Sequence, residues 1–439
     1  MVYVLTRTIT PRLIYIQDII GELLGVPLSF FTQKEALPPT QPWINYTSHP
    51  ELGGMHIPPT DLLFEQGVQH QSLNIYWETY PLLFGAPTEN PHALDFDVFA
   101  AIFYLVTDYE KYVVFRPDRH DRYDQTAYPS AQWKLQEVPL VHFYVEKLWK
   151  KLKQVFPHHI FSRSLPTATG ELTFDLDYPW KHRHKPLSVM LGGGIKDLAQ
   201  GKISNVRERW KAVIQGKDPF YTFDLLLDHS KKDHTHFFFL IDHHAPEDSR
   251  FSYKQQVLRA LIQKIVGEGY RSGIHPSFIS YTRPDILRHE VQRLTELIER
   301  PVLSSRQHFL RHRLPDTYRY LLAEGIQEEY TPCLYTSGGF PNGMAQPFYW
   351  YDLLREEKTV LRLHPTMIMD RTLHTYMKLN PVLAYQRFAE LKRTTESYRG
   401  KFTLLLHNDT LSDSGEWTGW LDTILRMMDE VQKMPSFKR

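Results

Sequence analysis

Two carboxylates stand close together in the stretch ELTFDLDYPW, residues 171–180. Asp175 and Asp177 follow a short apolar run typical of a β-strand, and residues two apart on a strand point to the same side. Two carboxylates on one side cost folding free energy unless a cation, an arginine or a substrate faces them. The pair therefore predicts a functional site, although it would also suit a plain strand end that leads into a turn at Tyr178-Pro179.

Further polar side chains stand at the ends of other short apolar runs. They are, in chain order, His275, Arg306, His308 and His407. Short apolar strands that alternate with helices are typical of a parallel sheet, in which the C-terminal ends of the strands meet on one face. The sequence therefore predicts that these side chains converge with the two carboxylates.

This set of side chains indicates a particular chemistry. Two neutral imidazoles and one carboxylate form a standard site for zinc or a similar divalent metal, with positions left open for water and substrate. The remaining carboxylate can take a proton from the activated water, and the remaining histidine can protonate a leaving group. The prediction is metal-assisted hydrolysis of an amide or an ester.

The elements that position these residues divide into two predicted domains. Residues 1–165 form an accessory α/β domain of unknown role, and residues 166–439 carry the candidate site. The first domain is predicted to contain strands at 3–5 and 26–31 and helices at 12–24, 95–109 and 141–156. The second is predicted to contain strands at 172–177, 237–241, 271–275, 302–305 and 402–406, and helices at 253–267, 283–299, 316–324 and 417–432.

Composition excludes several functional classes. The 439 residues carry a formal net charge of +1, which leaves no excess of cations to coat a nucleic acid. The single cysteine, Cys333, excludes an internal disulfide and a cysteine-rich zinc site. No window approaches the roughly 18 apolar residues of a membrane span, and the N-terminus lacks the pattern of a signal peptide. We therefore expect a cytoplasmic protein, with its oligomeric state open.

Four short segments, TFDLD, GIHPS, SSRQHFLR and LLLHN, together resemble a known family. In this order and spacing they are similar to the NodB-type polysaccharide deacetylases, carbohydrate esterase family four, over residues 165–435. The closest resemblance is to a bacterial branch in which such a domain follows an uncharacterised N-terminal region. The resemblance implies an irregular (β/α) barrel that removes acetyl groups from N-acetylated sugars with a divalent metal, most fittingly zinc.

The resemblance also implies a role for each motif residue. Asp175 falls on the catalytic base of the family, and Asp177 falls on its metal-binding aspartate. His275 matches the first metal histidine, and Arg306 matches the arginine that orients the base. His407 matches the catalytic acid.

The chain departs from the family pattern at two of these positions. The two aspartates are adjacent in the family but separated here by Leu176, so the base and ligand roles of Asp175 and Asp177 could be exchanged. The second metal histidine of the family falls on Ile279 in this chain. His308 is the best substitute because its strand end should face the same site.

Two rival functions and three further segments remain open. One rival is a glycan-binding or assembly protein that has lost turnover, and the other is a hydrolase of a non-sugar amide. Residues 338–353 resemble a substrate-side loop, but with Pro341-Asn342 where the family has an arginine. Residues 241–244 (IDHH) are a reserve metal segment, and Gly192-Gly193-Gly194 is predicted to be a flexible turn.

Overall fold

The computed structural model describes residues 1–38, 40–185 and 187–437, which form two compact units. The first unit comprises Met1–Ala168, Gly339–Pro365 and Thr394–Gly400. The second comprises Thr169–Gly338, Thr366–Arg393 and Lys401–Arg439. The first junction lies close to the predicted boundary at residue 165, but two later segments of the predicted second domain fold with the first unit.

The described residues form fifteen β-strands and twelve α-helices. The strands are β1 (Val2–Thr6), β2 (Leu28–Phe31), β3 (Trp43–Tyr46), β4 (Met55–His56), β5 (Tyr76–Trp77), β6 (Pro81–Leu82), β7 (Thr169–Leu176), β8 (Thr235–Phe239), β9 (Arg271–Ile274), β10 (Ser304–Ser305), β11 (Glu328–Glu329), β12 (Phe348–Asp352), β13 (Glu357–Leu363), β14 (Ile368–Met369) and β15 (Lys401–His407). The helices are α1 (Pro11–Leu24), α2 (Val98–Val106), α3 (Tyr109–Val113), α4 (Leu140–Val155), α5 (Leu187–Ala199), α6 (Ile203–Ile214), α7 (Phe223–Asp228), α8 (Gln256–Gly267), α9 (Pro284–Ile298), α10 (Asp316–Ala323), α11 (Pro381–Ser397) and α12 (Leu421–Gln432). None of these helices is both long and apolar enough to cross a membrane.

The first unit contains a parallel sheet with the strand order β2-β1-β3-β4. Helix α1 begins where the Thr10 side chain accepts a hydrogen bond from the backbone nitrogen of Leu13, and it ends at Gly25, whose φ of 69° is in the left-handed region. The predicted helix at 12–24 is thereby confirmed.

One buried ion pair accounts for part of the discontinuity of the first unit. Arg12 on α1 is fully buried and forms a bidentate ion pair with Glu356. The distances are 2.9 Å from Nε to Oε2 and 2.5 Å from Nη2 to Oε1. A buried guanidinium needs such a partner, because an unpaired charge away from water is very costly. The segment that carries Glu356 therefore folds with α1, although it follows α1 by more than three hundred residues.

The second unit is built on a parallel sheet of seven strands, in the order β11-β10-β9-β8-β7-β15-β14. The side chains of β8 and β15 are buried throughout, as expected of parallel strands covered on both faces. The prediction of an α/β fold with parallel strands is confirmed.

The predicted irregular (β/α) barrel is shown only in part, as a parallel α/β sheet that does not close. The segments next to the two outer strands of this sheet meet through one isolated parallel bridge between Cys333 and Thr366. A closed barrel requires a continuous ladder around the sheet. Strands β11 and β14 are only two residues long, and the described residues show an open, curved sheet with a single bridge across the gap.

Candidate metal and catalytic site

Three side chains at strand ends form a group that could hold a metal ion. The ligand atoms of Asp177, His275 and His308 lie within 4.8 Å of one another. His275 Nε2 is 3.1 Å from Asp177 Oδ1, and His308 Nε2 is 3.7 Å from Asp177 Oδ2. These residues follow β7, β9 and β10, so the parallel sheet brings together the three residues that the sequence predicts as metal ligands.

Both imidazoles of this group are oriented by a hydrogen bond on the far side of the ring. His275 Nδ1 donates a hydrogen bond to the backbone oxygen of Arg306 at 2.6 Å. His308 Nδ1 lies 2.9 Å from Asp248 Oδ1. Each bond leaves Nε2 directed at Asp177, which is the arrangement usual for metal-binding histidines.

The donor set fits a divalent cation. Asp177 Oδ1 is buried and makes no hydrogen bond among the described residues, although His275 Nε2 lies 3.1 Å away from it and the Asp177 side chain as a whole is 15% exposed. An unpaired buried carboxylate oxygen is costly unless a cation satisfies it. Two nitrogen donors and one carboxylate with an open side suit zinc or a similar ion.

The electrostatics of the group favour a bound cation. Burial raises the pKa of Asp177, but the His308 and His275 imidazoles outweigh burial and hold this pKa well below its ordinary value. Burial lowers the pKa of His308, but Asp177 and Asp248 outweigh it and raise this pKa to about 9. The carboxylates thus create a negative potential at the imidazole nitrogens, where a metal ion would take the place of a proton.

The second carboxylate, Asp175, has a different partner. Arg306 Nη1 donates to Asp175 Oδ1 at 2.9 Å, and the other oxygen of Asp175 lies 3.8 Å from His275 Nε2. Arg306 is fully buried, and its remaining donors reach Tyr330 O at 3.1 Å and Thr366 Oγ1 at 3.2 Å. The two carboxylates of the opening motif are therefore separated by environment, one beside two imidazoles and the other beside a guanidinium.

His407 completes the set at the edge of the metal group. It pairs with Asp175 in the register of β15 and β7, and its Nε2 lies 3.8 Å from Asp177 Oδ2. Asp370 holds its other side, with Oδ1 2.8 Å from His407 Nδ1 and Oδ2 accepting the His407 backbone N–H at 2.7 Å. Burial lowers the pKa of His407, but Asp370 outweighs it and raises this pKa to about 9, so the ring is a proton donor near neutral pH.

Two carboxylates that orient the histidines, Asp248 and Asp370, were not predicted from the sequence. Asp370 follows β14 directly, so the rule that selected Asp175 could have found it, but a two-residue strand gives almost no apolar pattern. Asp248 lies in a loop between β8 and α8, where no local signal marks it. Its position is fixed by backbone N–H groups, which donate to its carboxylate from Phe278 at 2.8 Å and His244 at 2.9 Å.

The other predicted segments supply no side chain to this metal group. In the reserve segment 241–244, His244 Nε2 lies 3.6 Å from Glu290 Oε1, and His243 is exposed. The proposed substrate-side loop belongs to the first unit from Gly339 onward, where Phe340 N donates to Leu135 O at 2.8 Å. Pro341 and Asn342 are buried there, and Asn342 Nδ2 donates to Leu105 O at 3.5 Å.

A substitution at Asp248 tests whether the outer hydrogen bonds matter for metal binding. We expect Asp248→Asn to weaken zinc affinity by about 10–100-fold, because His308 loses the anionic partner that orients it and makes it a better donor. Competition against a chromogenic chelator measures this affinity. The matched control is Asp242→Asn in the reserve segment, which should leave the affinity unchanged; the reverse pattern would place the metal at residues 241–244.

Comparison with known families gives one match, over the first unit. Residues 2–157 match a family of unknown function, DUF7033. No curated protein matches the chain.

Several solved structures are similar to part of the chain at low sequence identity. A protein described as a polysaccharide deacetylase from Mycobacterium smegmatis is 13% identical with a TM-score of 0.40, and the match covers 62% of this chain and 86% of that one. Another so described, from Pseudomonas aeruginosa PAO1, is 12% identical with a TM-score of 0.39 and covers 61% and 86%. A CE4-family pseudoenzyme from Bacillus anthracis is 12% identical with a TM-score of 0.31 and covers 65% and 68%.

Proposed function

We propose that the protein is a metal-dependent hydrolase that removes the acetyl group from an N-acetylated sugar or polysaccharide precursor in the cytoplasm. The observation that carries the proposal is the Asp177 carboxylate, whose Oδ1 makes no hydrogen bond and whose two oxygens lie 3.1 Å and 3.7 Å from the Nε2 atoms of His275 and His308. Asp177, His275 and His308 would hold a divalent cation, most fittingly zinc. When bound, such an ion polarises a carbonyl group and lowers the pKa of water.

Asp175 is the group best placed to accept a proton. Arg306 donates a hydrogen bond to its Oδ1, which fixes the plane of the carboxylate. The free Oδ2 lies on the side of His275 Nε2 and can take a proton from an attacking water. Asp177 is then the ligand and Asp175 the base, which is the assignment that the motif resemblance implies.

His407 is the group best placed to donate a proton. Its Nδ1 proton is held by Asp370, so the proton on Nε2 faces Asp177 and the space above the metal group. An amine leaves an amide readily only if it is protonated, whereas an alcohol leaves an ester with less help. The protonated imidazole therefore favours an amide substrate over an ester.

The sugar in this proposal rests on the motif resemblance. The segments TFDLD, GIHPS, SSRQHFLR and LLLHN supply the motif residues Asp175, Asp177, His275, Arg306 and His407, and the family they resemble removes acetyl groups from N-acetylated sugars. His308 lies in the third of these segments and substitutes for the second metal histidine of the family. The curved parallel sheet of the second unit carries all six residues at or near the ends of its strands, as an irregular (β/α) barrel would.

Metal content and acetate release together test the proposed function. Zinc-loaded protein should hold one ion per chain and release acetate from N-acetylated chitooligosaccharides, and a chelator should stop the release until zinc is restored. An empty site with no acetate release would overturn the proposal in favour of a glycan-binding protein. Acetate release from non-sugar acetamides alone would support the proposed metal-dependent hydrolysis and would reject the proposed sugar substrate.

A further inference from the structure

Helices α5 and α6 form a hairpin in the connection between β7 and β8. Arg209 of α6 pairs with Asp197 of α5 at 2.9 Å, and Asn205 donates to the same carboxylate at 3.3 Å. The Arg209 guanidinium lies against Gly193, where a Cβ atom would be 2.8 Å from Nη2. The glycine run lies inside α5, which corrects the predicted flexible turn at Gly192-Gly193-Gly194.

The hairpin presents large apolar side chains to solvent at helical spacing. We call them the apolar stripe: Leu191, Ile195 and Leu198 on α5, and Ile203, Trp210 and Ile214 on α6. Each is between 55% and 73% exposed. Surface helices usually turn such a stripe toward the core, and a contiguous exposed apolar patch marks an interaction site.

The same hairpin carries a concentrated positive charge. Residues 181–217 contain nine lysines and arginines and two acidic residues, whereas the whole chain has 51 basic and 50 acidic residues. The members that are exposed and form no ion pair in the described part of the chain are Lys196, Lys202, Arg207, Lys211 and Lys217. At the base of the hairpin, burial lowers the pKa of Lys185; the Asp218 carboxylate opposes this shift, and the neighbouring cations Arg209 and Arg250 add to it.

We propose that the α5–α6 hairpin docks the protein on an anionic lipid surface. Basic side chains around an exposed apolar stripe that includes a tryptophan are the composition of helices that lie in a membrane interface. The stripe would enter the boundary between headgroups and acyl chains, and the flanking cations would engage anionic headgroups. Free phosphate or a nucleic acid would satisfy the cations and leave six large apolar side chains in water.

The base of the hairpin ties this surface to the strand that carries the candidate site. Glu208 on α6 accepts from Lys181 Nζ and lies against His182 Nε2, each at 2.7 Å. Asp218 accepts the backbone N–H groups of Lys181 and His182 at 2.8 Å. Lys181 follows Asp177 by four residues, so docking would hold the candidate site beside the lipid surface whether or not the site turns over a sugar.

Co-sedimentation with vesicles tests the proposal. The full chain should sediment with phosphatidylcholine vesicles that contain phosphatidylglycerol, should not sediment with phosphatidylcholine alone, and should be released by salt. Replacing Lys196, Lys202 and Lys211 by Gln should lower the partition coefficient by about fivefold per charge, or about 100-fold together. The pair Ile195→Ser and Leu198→Ser should weaken binding without changing the salt dependence.

The matched control lies on α11, where Val382 and Leu383 are 68% and 47% exposed and no lysine or arginine lies within three positions of either residue. Val382→Ser with Leu383→Ser should bind vesicles as the unchanged chain does, and melting temperatures should confirm that every variant folds. Failure to bind the anionic vesicles, or binding that the hairpin variants leave intact, would overturn the proposal. A dimer in light scattering that the stripe variants dissociate, without vesicle binding, would assign the stripe to a second copy of the chain.

Discussion

Replacing Asp177 with alanine is expected to abolish stoichiometric zinc binding and to lower kcat/KM by about 10³-fold, or about 4 kcal/mol of transition-state stabilisation. The carboxylate is the anionic member of the metal group, and its Oδ1 lacks a hydrogen-bond partner in the described residues. Without it, two imidazoles would remain, and His308 would stay paired with Asp248. Zinc content after gel filtration and acetate release measure the two effects.

The matched control is Asp175→Asn, because the two carboxylates differ in partner and stand two residues apart. The asparagine variant should retain zinc and lose turnover by about 10²–10⁴-fold, since the group that accepts the proton is gone. The opposite result, with zinc lost from Asp175→Asn and retained in Asp177→Ala, would show that the two roles are exchanged. Arg306 is buried against Asp175, so the Asp175→Asn substitution could also destabilise the fold. Melting temperatures of both variants distinguish this effect from a loss of zinc or of turnover.

Replacing His407 with alanine is expected to lower kcat for an acetamide substrate by about 10²–10⁴-fold, since the amine then leaves without a proton donor. The loss should be much smaller for an acetate ester with a good leaving group, while zinc affinity should stay close to that of the unchanged protein. An equal loss for amide and ester would reject the role of proton donor.

The variant Asp370→Asn keeps His407 and removes only the charge of the carboxylate that holds its ring. An acid must be protonated to act, so activity falls as pH rises through its pKa. Burial lowers the pKa of His407 and Asp370 raises it, so removing the charge of Asp370 should lower this pKa and move the alkaline limb of the pH–rate profile to lower pH. A lower rate with an unmoved profile would mean that Asp370 acts only through packing.

The strand-end rule located the candidate site because the second unit is a parallel sheet. Alternation along β7 places Asp175 and Asp177 on one side, and parallel pairing brings His275 and His407 to the same edge. These relations depend on strand period and strand direction, which an apolar pattern in the sequence reveals.

The features of the site and the fold that could not be predicted from the sequence depend on contacts between distant residues. Asp248 and Asp370 reach their histidines from 60 and 37 residues away, and nothing local distinguishes them from other acids. The extent of the first unit could not be predicted for the same reason, because the pair of Arg12 and Glu356 joins residues 344 positions apart in the sequence. The assignment of Asp177 as ligand and Asp175 as base stays a prediction until the paired variants are compared.

The discontinuous first unit has a consequence for synthesis on the ribosome. The carboxylate that neutralises Arg12 belongs to residue 356, so the first 168 residues emerge without it. At about 5–20 residues per second, this guanidinium waits on the order of ten to forty seconds for its partner. During that time Arg12 of the nascent chain must stay hydrated. A chain that ends before Glu356 would leave the Arg12 guanidinium without its carboxylate partner permanently.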